Sequence, residues 1–164
     1  KKVLTDPVEI SIALSKPAER VTQVAFVVYD KQKIPLANFL LSAKKLKSII
    51  VFCSTKSSTK ELARELKRSG QSVEEIHSDL DQETRGVVLR KFKNKEIKAL
   101  VATDILSRGI DVEDIDLVLN FDVPNDGEDY IHRIGRTARA ANKALPKVSA
   151  PAWASRTLAS LKAM

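Results

Sequence analysis

The stretch SIIVFCSTKSSTKELARELKRSG (48–70) reads as a buried strand, a hydroxyl-rich loop and an amphipathic helix in succession. Ile49 to Cys53 form an unbroken apolar run, the pattern of a strand covered on both faces. The helix is expected from Ser57 to Ser69. Ser58 and Glu61 have capping-box spacing, Leu62 and Leu66 line one face, and Gly70 fits the position just past a helix end.

The same alternation extends outward. VTQVAFVVY (21–29) alternates like a strand and PLANFLLSA (35–43) reads as a helix. SVEEIH (72–77) is a short strand, and Gln82 to Phe92 a helix with Val88, Leu89 and Phe92 on one stripe. IKALVA (97–102) and IDLVLNF (115–121) are two more buried strands. A helix is expected from Asp126 or Asp129 onward, a last strand at LPKVS (145–149) and a closing helix from Ala152 to Met164. Residues 1–20, broken by Pro7 and Pro17, read as an incoming interdomain linker to one domain over 21–164. Strand–helix alternation with buried strands predicts an α/β fold with a mostly parallel central sheet and helices on both faces. Ligands of such sheets sit at the carboxyl ends of the strands. The loops after Cys53, Ile76, Ala102 and Phe121 are therefore expected along one edge.

Composition narrows the class. A chain of 164 residues with 43% apolar content suits one domain with a real core rather than a disordered chain. The lone Cys53 forms no internal disulfide, which suits a reducing, intracellular setting, cytoplasmic or, in a eukaryote, nuclear. No apolar run reaches the length of a membrane span, so no membrane partner is expected. The net charge of +7 is unevenly placed, with ten basic against two acidic residues in 31–70 and seven against none in 131–164. A polyanion partner would use such segments. The bland alternative for Lys44, Lys45, Lys47, Lys60, Lys67 and Arg68 is a solvated surface.

The expected edge loops carry polar side chains. STKSST (54–59) offers hydroxyls and backbone N–H groups at a helix start, which suits a phosphate, although helix capping by Ser57 or Ser58 explains them equally in isolation. Gln82 and Arg85 lie three apart on one helical face, as in any solvated helix start. In TDILSRGID (103–111) a buried strand ends on Thr103, and Arg108, Gly109 and Asp111 follow; packing alone does not account for them, a loop salt bridge being the alternative. In YIHRIGRTARA (130–140), Arg133, Arg136 and Arg139 recur every three residues with no acid after Asp129. Such guanidiniums repel one another unless an anion sits between them, and phosphate is the natural bidentate guest. The alternative is a basic helix that binds nothing. Neither His77 nor His132 has a metal-ligand neighbourhood.

Taken together, IIVFCST (49–55), the Gln82–Arg85 pair, VATDILSRGID (101–111), LVLNFDVP (117–124) and YIHRIGRTARA (130–140) make the chain resemble the second, C-terminal RecA-like domain of DEAD-box ATP-dependent RNA helicases. The resemblance implies a RecA-like three-layer sandwich. It implies that Arg136 and Arg139 reach the γ-phosphate of ATP, that Asp111 and Gly109 lie at the nucleotide, and that His132 couples ATP to the partner domain's catalytic loop. It places Thr55, Asp79, Gln82, Arg85, Thr103, Arg108 and Gly109 at the RNA sugar–phosphate backbone, a sequence-independent mode of binding. Ser78 and Ala138 depart from the glycines usual in the family.

The sequence contains neither G-x-x-x-x-G-K-[ST] nor Asp-Glu-Ala-Asp. The resemblance therefore implies a catalytically incomplete part of an RNA-stimulated ATPase, inactive alone. ATP with Mg²⁺ would be held mainly by an N-terminal RecA-like domain of the same protein. Two alternatives stand beside it: a stand-alone, non-catalytic RNA-binding module, and a DNA-directed helicase of the same superfamily.

Overall fold

The computed structural model describes residues 21–103, 115–124, 127–138 and 156–162, with side chains omitted at 21–23, 25, 27, 134–138 and 156–162. Among these residues six strands form one sheet in the order β1-β6-β5-β2-β4-β3. They are β1 (Val21–Val27), β2 (Ile49–Cys53), β3 (Val73–Ile76), β4 (Ala99–Thr103), β5 (Leu117–Asn120) and β6 (Arg156–Lys162). β5, β2, β4 and β3 are mutually parallel, with Ile49 opposite both Ala99 and Leu117. β6 runs antiparallel to both of its neighbours, β1 and β5.

The buried side chains of β2, β4 and β5 divide between the two faces, as strand alternation requires. Ile49, Val51, Cys53, Val101 and Leu119 pack with α1 (Asp30–Leu41) and α2 (Lys56–Arg68). Ile50, Phe52, Leu100, Ala102 and Val118 pack with Val88 and Phe92 of α3 (Gln82–Lys93). The helix α4 (Gly127–Ala138) also lies on this second face, where Arg133 stacks over the Phe52 ring. The result is a three-layer α/β sandwich with a mostly parallel sheet.

Several sequence expectations need correction. Helix α1 begins at Asp30 rather than Pro35, which lies inside it. Pro35 removes one helical donor, but both Pro35 and Lys31, whose carbonyl loses that partner, are exposed, so water can satisfy the carbonyl. Helix α2 is capped by Thr55, not by Ser57 or Ser58: Thr55 Oγ1 accepts from the Ser58 N–H at 3.1 Å. Residues 156–162 form a strand, not part of a closing helix. Two neighbouring strands, β1 and β5, each take a ladder of hydrogen bonds from this segment, and that pairing overrides local preference. The expected strand at 145–149 and the linker 1–20 lie outside the described residues.

Candidate functional site

The parallel strands deliver their carboxyl ends to one edge, in the spatial order β5, β2, β4, β3. The loops after Cys53, Ile76 and Phe121, together with the end of β4 at Thr103, lie side by side there. Thr103 is 8% exposed and in register with Cys53. The loop after β2 is joined to the one after β5, since Ser54 N–H donates to Asp122 Oδ2 at 2.9 Å. Thr55 is exposed, and its hydroxyl also lies 2.7 Å from Ser58 Oγ.

The loop after β3 is tied to the start of α2. Lys56 and Lys60 grip the two oxygens of Asp79 at 2.6 and 2.9 Å. The hydrogen bonds from Lys56 and then Lys60 hold the Asp79 carboxyl down at about 2, below its usual value of 3.8. The group is two ammoniums around one carboxylate, so an incoming phosphate meets net positive charge. For Lys60 the sequence leaves a polyanion partner and a solvated surface both open, and it does not single out Lys56. Their spacing of four, directly after a helix N-cap, is the signal that points to them.

Gln82 and Arg85 meet as their spacing predicts, with Arg85 donating to Gln82 Oε1 at 3.3 Å. Arg85 also donates to the Leu80 carbonyl at 2.9 Å and so closes the loop from within. Its Nε is buried with no hydrogen-bond partner among the described residues, as is Nε2 of His77. Nδ1 of His77, a buried side chain, accepts from the Asp79 N–H at 3.3 Å and shapes the same turn. Asp81 caps α3 through the Thr84 N–H at 2.6 Å, and that bond lowers its pKa.

The arginine helix differs from the picture of three unpaired guanidiniums. Arg133 is 3% exposed. It donates to Asn120 Oδ1 at 2.8 Å and to the Asp122 carbonyl at 2.9 Å, and its guanidinium lies 4.9 Å from the Phe52 ring centroid. The α-helical spacing alone could not separate it from the other two, because its acceptors come from β5 and the loop after it. Arg136 lies one turn further along α4, and His132 is exposed on the same helix. The Arg136 side chain, Arg108, Gly109, Asp111 and Arg139 lie outside the described residues. For a nucleotide polyphosphate the described residues fit in one respect: Arg133 pins α4 to β5 and so fixes the backbone that carries Arg136. Among the described residues no group of three or more His, Cys, Asp or Glu could hold a metal, and no helix is long and apolar enough to cross a membrane.

Residues 32–141 match the family model of the helicase conserved C-terminal domain. The chain is 40% identical over 144 residues to the ATP-dependent RNA helicase DbpA of Escherichia coli (strain K12), covering 88% of this chain and 32% of that protein. It thus spans about a third of that relative's length. Among solved structures it resembles a DEAD box protein from the hyperthermophile Methanococcus jannaschii, at TM-score 0.65 and 45% identity, over 70% of this chain and 31% of that one. It also resembles S. cerevisiae Dbp5 bound to RNA and ADP BeF3, at TM-score 0.64 and 32% identity, over 68% of this chain and 30% of that one.

Proposed function

The chain belongs to the helicase conserved C-terminal domain family, as the C-terminal RecA-like domain of a DEAD-box RNA helicase, and from that premise we propose that it supplies one side of an ATP- and RNA-binding cleft. The observation that carries the reading is the shared edge on which Thr55, the Lys56–Asp79–Lys60 cluster, Gln82–Arg85 and Thr103 stand together. Hydroxyls, ammoniums and a guanidinium suit the sugar–phosphate backbone, and no aromatic platform stands among them to read bases. Binding is then largely independent of sequence and steeply salt-dependent. Lys56 and Lys60 face the phosphates, while Asp79 holds the two ammoniums apart and in place.

When bound, ATP with Mg²⁺ supplies the phosphoryl group whose cleavage drives the cycle. Arg136 and Arg139 take the role of orienting and neutralising its γ-phosphate, and Asp111 and Gly109 meet the nucleotide's other end. His132 couples that site to the second RecA-like domain. The sequence contains no phosphate loop, so the pocket for the nucleotide comes from that other domain.

Phosphate release is the test. The chain alone is expected to hydrolyse ATP negligibly with or without RNA, and a supplied first RecA-like domain is expected to restore RNA-stimulated turnover. Robust turnover by the chain alone overturns the reading. An Arg85→Ala chain that binds RNA as tightly as the parent overturns its RNA half.

A further inference from the structure

The opposite edge of the sheet has its own chemistry. Two loops meet there, 42–48 leading into β2 and 94–98 leading into β4. Ile49 N–H donates to the Lys98 carbonyl at 3.0 Å, and the Lys98 ammonium donates to the Ala43 carbonyl at 2.9 Å. The first loop carries Lys44, Lys45 and Lys47. The end of α3 and the turn after it carry Lys91, Lys93 and Lys95. All six are exposed, and none has a carboxylate partner among the described residues.

The acids of this edge are otherwise engaged. Asp116 Oδ2 accepts from the backbone N–H groups of Lys47 and Ser48 at 2.7 and 3.0 Å. Glu96 Oε1 accepts from Asn94 Nδ2 at 3.0 Å. Glu113 and Asp114 adjoin in sequence, and the lysines still outnumber all four acids. Helix α2 gives the contrast of basic side chains that do have carboxylate partners. There Lys56, Lys60, Lys67 and Arg68 each meet a carboxylate within 3.2 Å.

The backbone gives a second, independent sign. Helices α2 and α3 end alike. Gly70 N–H donates to the Lys67 carbonyl and Gln71 N–H to the Leu66 carbonyl, while Lys95 and Glu96 donate to Phe92 and Lys91 in the same pattern. Gly70 takes the left-handed conformation at φ 79°. Its counterpart Lys95 does so at φ 60°, the one positive-φ non-glycine among the described residues. That conformation strains an L side chain and leaves glycine free. Arg90, Lys91 and Lys93 already serve the helix dipole in the last turn of α3, so an ammonium at Lys95 is redundant for the fold.

The third sign is aromatic. Phe39, in the last turn of α1, is 62% exposed. That turn is held firmly, since Gln71 Nε2 donates to Asn38 Oδ1 at 2.7 Å and to Ser42 Oγ at 3.0 Å. An exposed ring therefore sits, on a turn tied to Gln71, three residues before the lysine-bearing loop.

We propose that this edge is a second binding surface for single-stranded RNA, with the lysines on its phosphates and Phe39 stacking on a base. Unpaired ammoniums beside an exposed ring are the elements of a single-strand site. A lipid surface fits less well, because the other large exposed apolar side chains among the described residues, Tyr29 and Val87, lie at the start of α1 and the middle of α3. The five residues of β2 separate the two edges by about 17 Å, so they bind separate stretches of one RNA. The proposal goes beyond the cleft described above and does not depend on any residue of it.

The test is anisotropy of fluorescein-labelled oligouridine over a salt series, with melting temperature on each variant. The triple variant Lys44→Glu, Lys45→Glu, Lys47→Glu is expected to bind at least tenfold more weakly. The slope of log affinity against log salt should fall by about 2, near 0.7 for each phosphate lost. Phe39→Ala is expected to weaken single-stranded RNA about fivefold or more and to leave duplex RNA unchanged. Lys95→Gly is expected to raise the melting temperature while lowering the salt slope, opposite signs that a purely structural lysine would not give. Arg85→Ala is the control at the other edge. If it weakens binding and the three opposite-edge variants do not, this proposal fails and the cleft stands; the reverse result isolates failure of the cleft. Binding to phosphatidylserine vesicles in preference to RNA also overturns the proposal.

Discussion

Arg133 keeps a permanent charge at 3% exposure, so the groups around it must replace the water it has lost. Regular spacing grouped it with Arg136 and Arg139, yet its guanidinium is spent on Asn120, Asp122 and the Phe52 ring. Truncation leaves the buried Asn120 Oδ1 and the part-buried Asp122 carbonyl without this donor and opens a cavity, so Arg133→Ala is expected to cost about 3 kcal/mol in urea denaturation. Lysine has no fork to span both acceptors, so Arg133→Lys recovers little of the loss. Cys53 shows the opposite balance, a reactive group made inert. Burial foremost, then the nearby Asp122, pushes its thiol up to about 12. Iodoacetamide at pH 8 is expected to leave the folded chain unlabelled and to label it promptly in denaturant. Rapid labelling without denaturant contradicts the buried placement. Asp79 sets an acid limit. Its folded pKa of about 2 lies below the usual 3.8, so the stability it contributes is present above about pH 4 and is lost as pH falls towards 2. The gap in urea midpoint between the parent and Asp79→Asn should therefore close across that range. A gap that persists at pH 2 would place the effect elsewhere than in the two lysine pairs.

At the scale of elements, helix ends give the cleanest prediction. Gly70 occupies the left-handed position after α2 with nothing within 4 Å of where a Cβ would stand, so only backbone strain opposes a side chain there. Gly70→Ala is expected to lower stability by about 1 kcal/mol with no change in the denaturant slope. This helix end was legible in the sequence because glycine is the residue that conformation favours. β2, β4 and β5 were legible for a related reason: burial on both faces leaves continuous apolar runs whose only ambiguity is one or two residues at each end. Two elements were not. α1 hides its first turn behind Pro35, which reads as a start when it is in fact an interior residue on the exposed side. β6 has a segment, RTLASLK, in which only Thr157 is β-branched, and its strand conformation comes from pairing with β1 and β5 rather than from its own residues.

For the whole molecule, what was legible of the site is its location more than its contacts. Parallel strands must deliver their carboxyl ends to one edge, and that rule alone groups Thr55, Asp79, Arg85 and Thr103 on it. It could not show that Asp79 serves Lys56 and Lys60, or that Arg133 serves the sheet, because those partners lie 19 to 23 and 11 to 13 residues away. The same division of labour decides what α4 does. If Arg133 fixes the helix and Arg136 and Arg139 meet the γ-phosphate, the three substitutions to alanine must separate on two measurements. In a protein carrying both RecA-like domains, Arg136→Ala and Arg139→Ala are expected to cut RNA-stimulated turnover by about 10³–10⁵ and leave the melting temperature of this domain within about a degree. Lysine at either position is not expected to rescue, since it lacks the bidentate contact. Arg133→Ala is expected to do the reverse. A loss of about 3 kcal/mol corresponds to roughly 6–12 °C in a domain of this size, while turnover per folded molecule stays within about tenfold of the parent. Losses of turnover that track melting temperature across all three variants would make α4 a packing helix alone, and the γ-phosphate would need another source of positive charge.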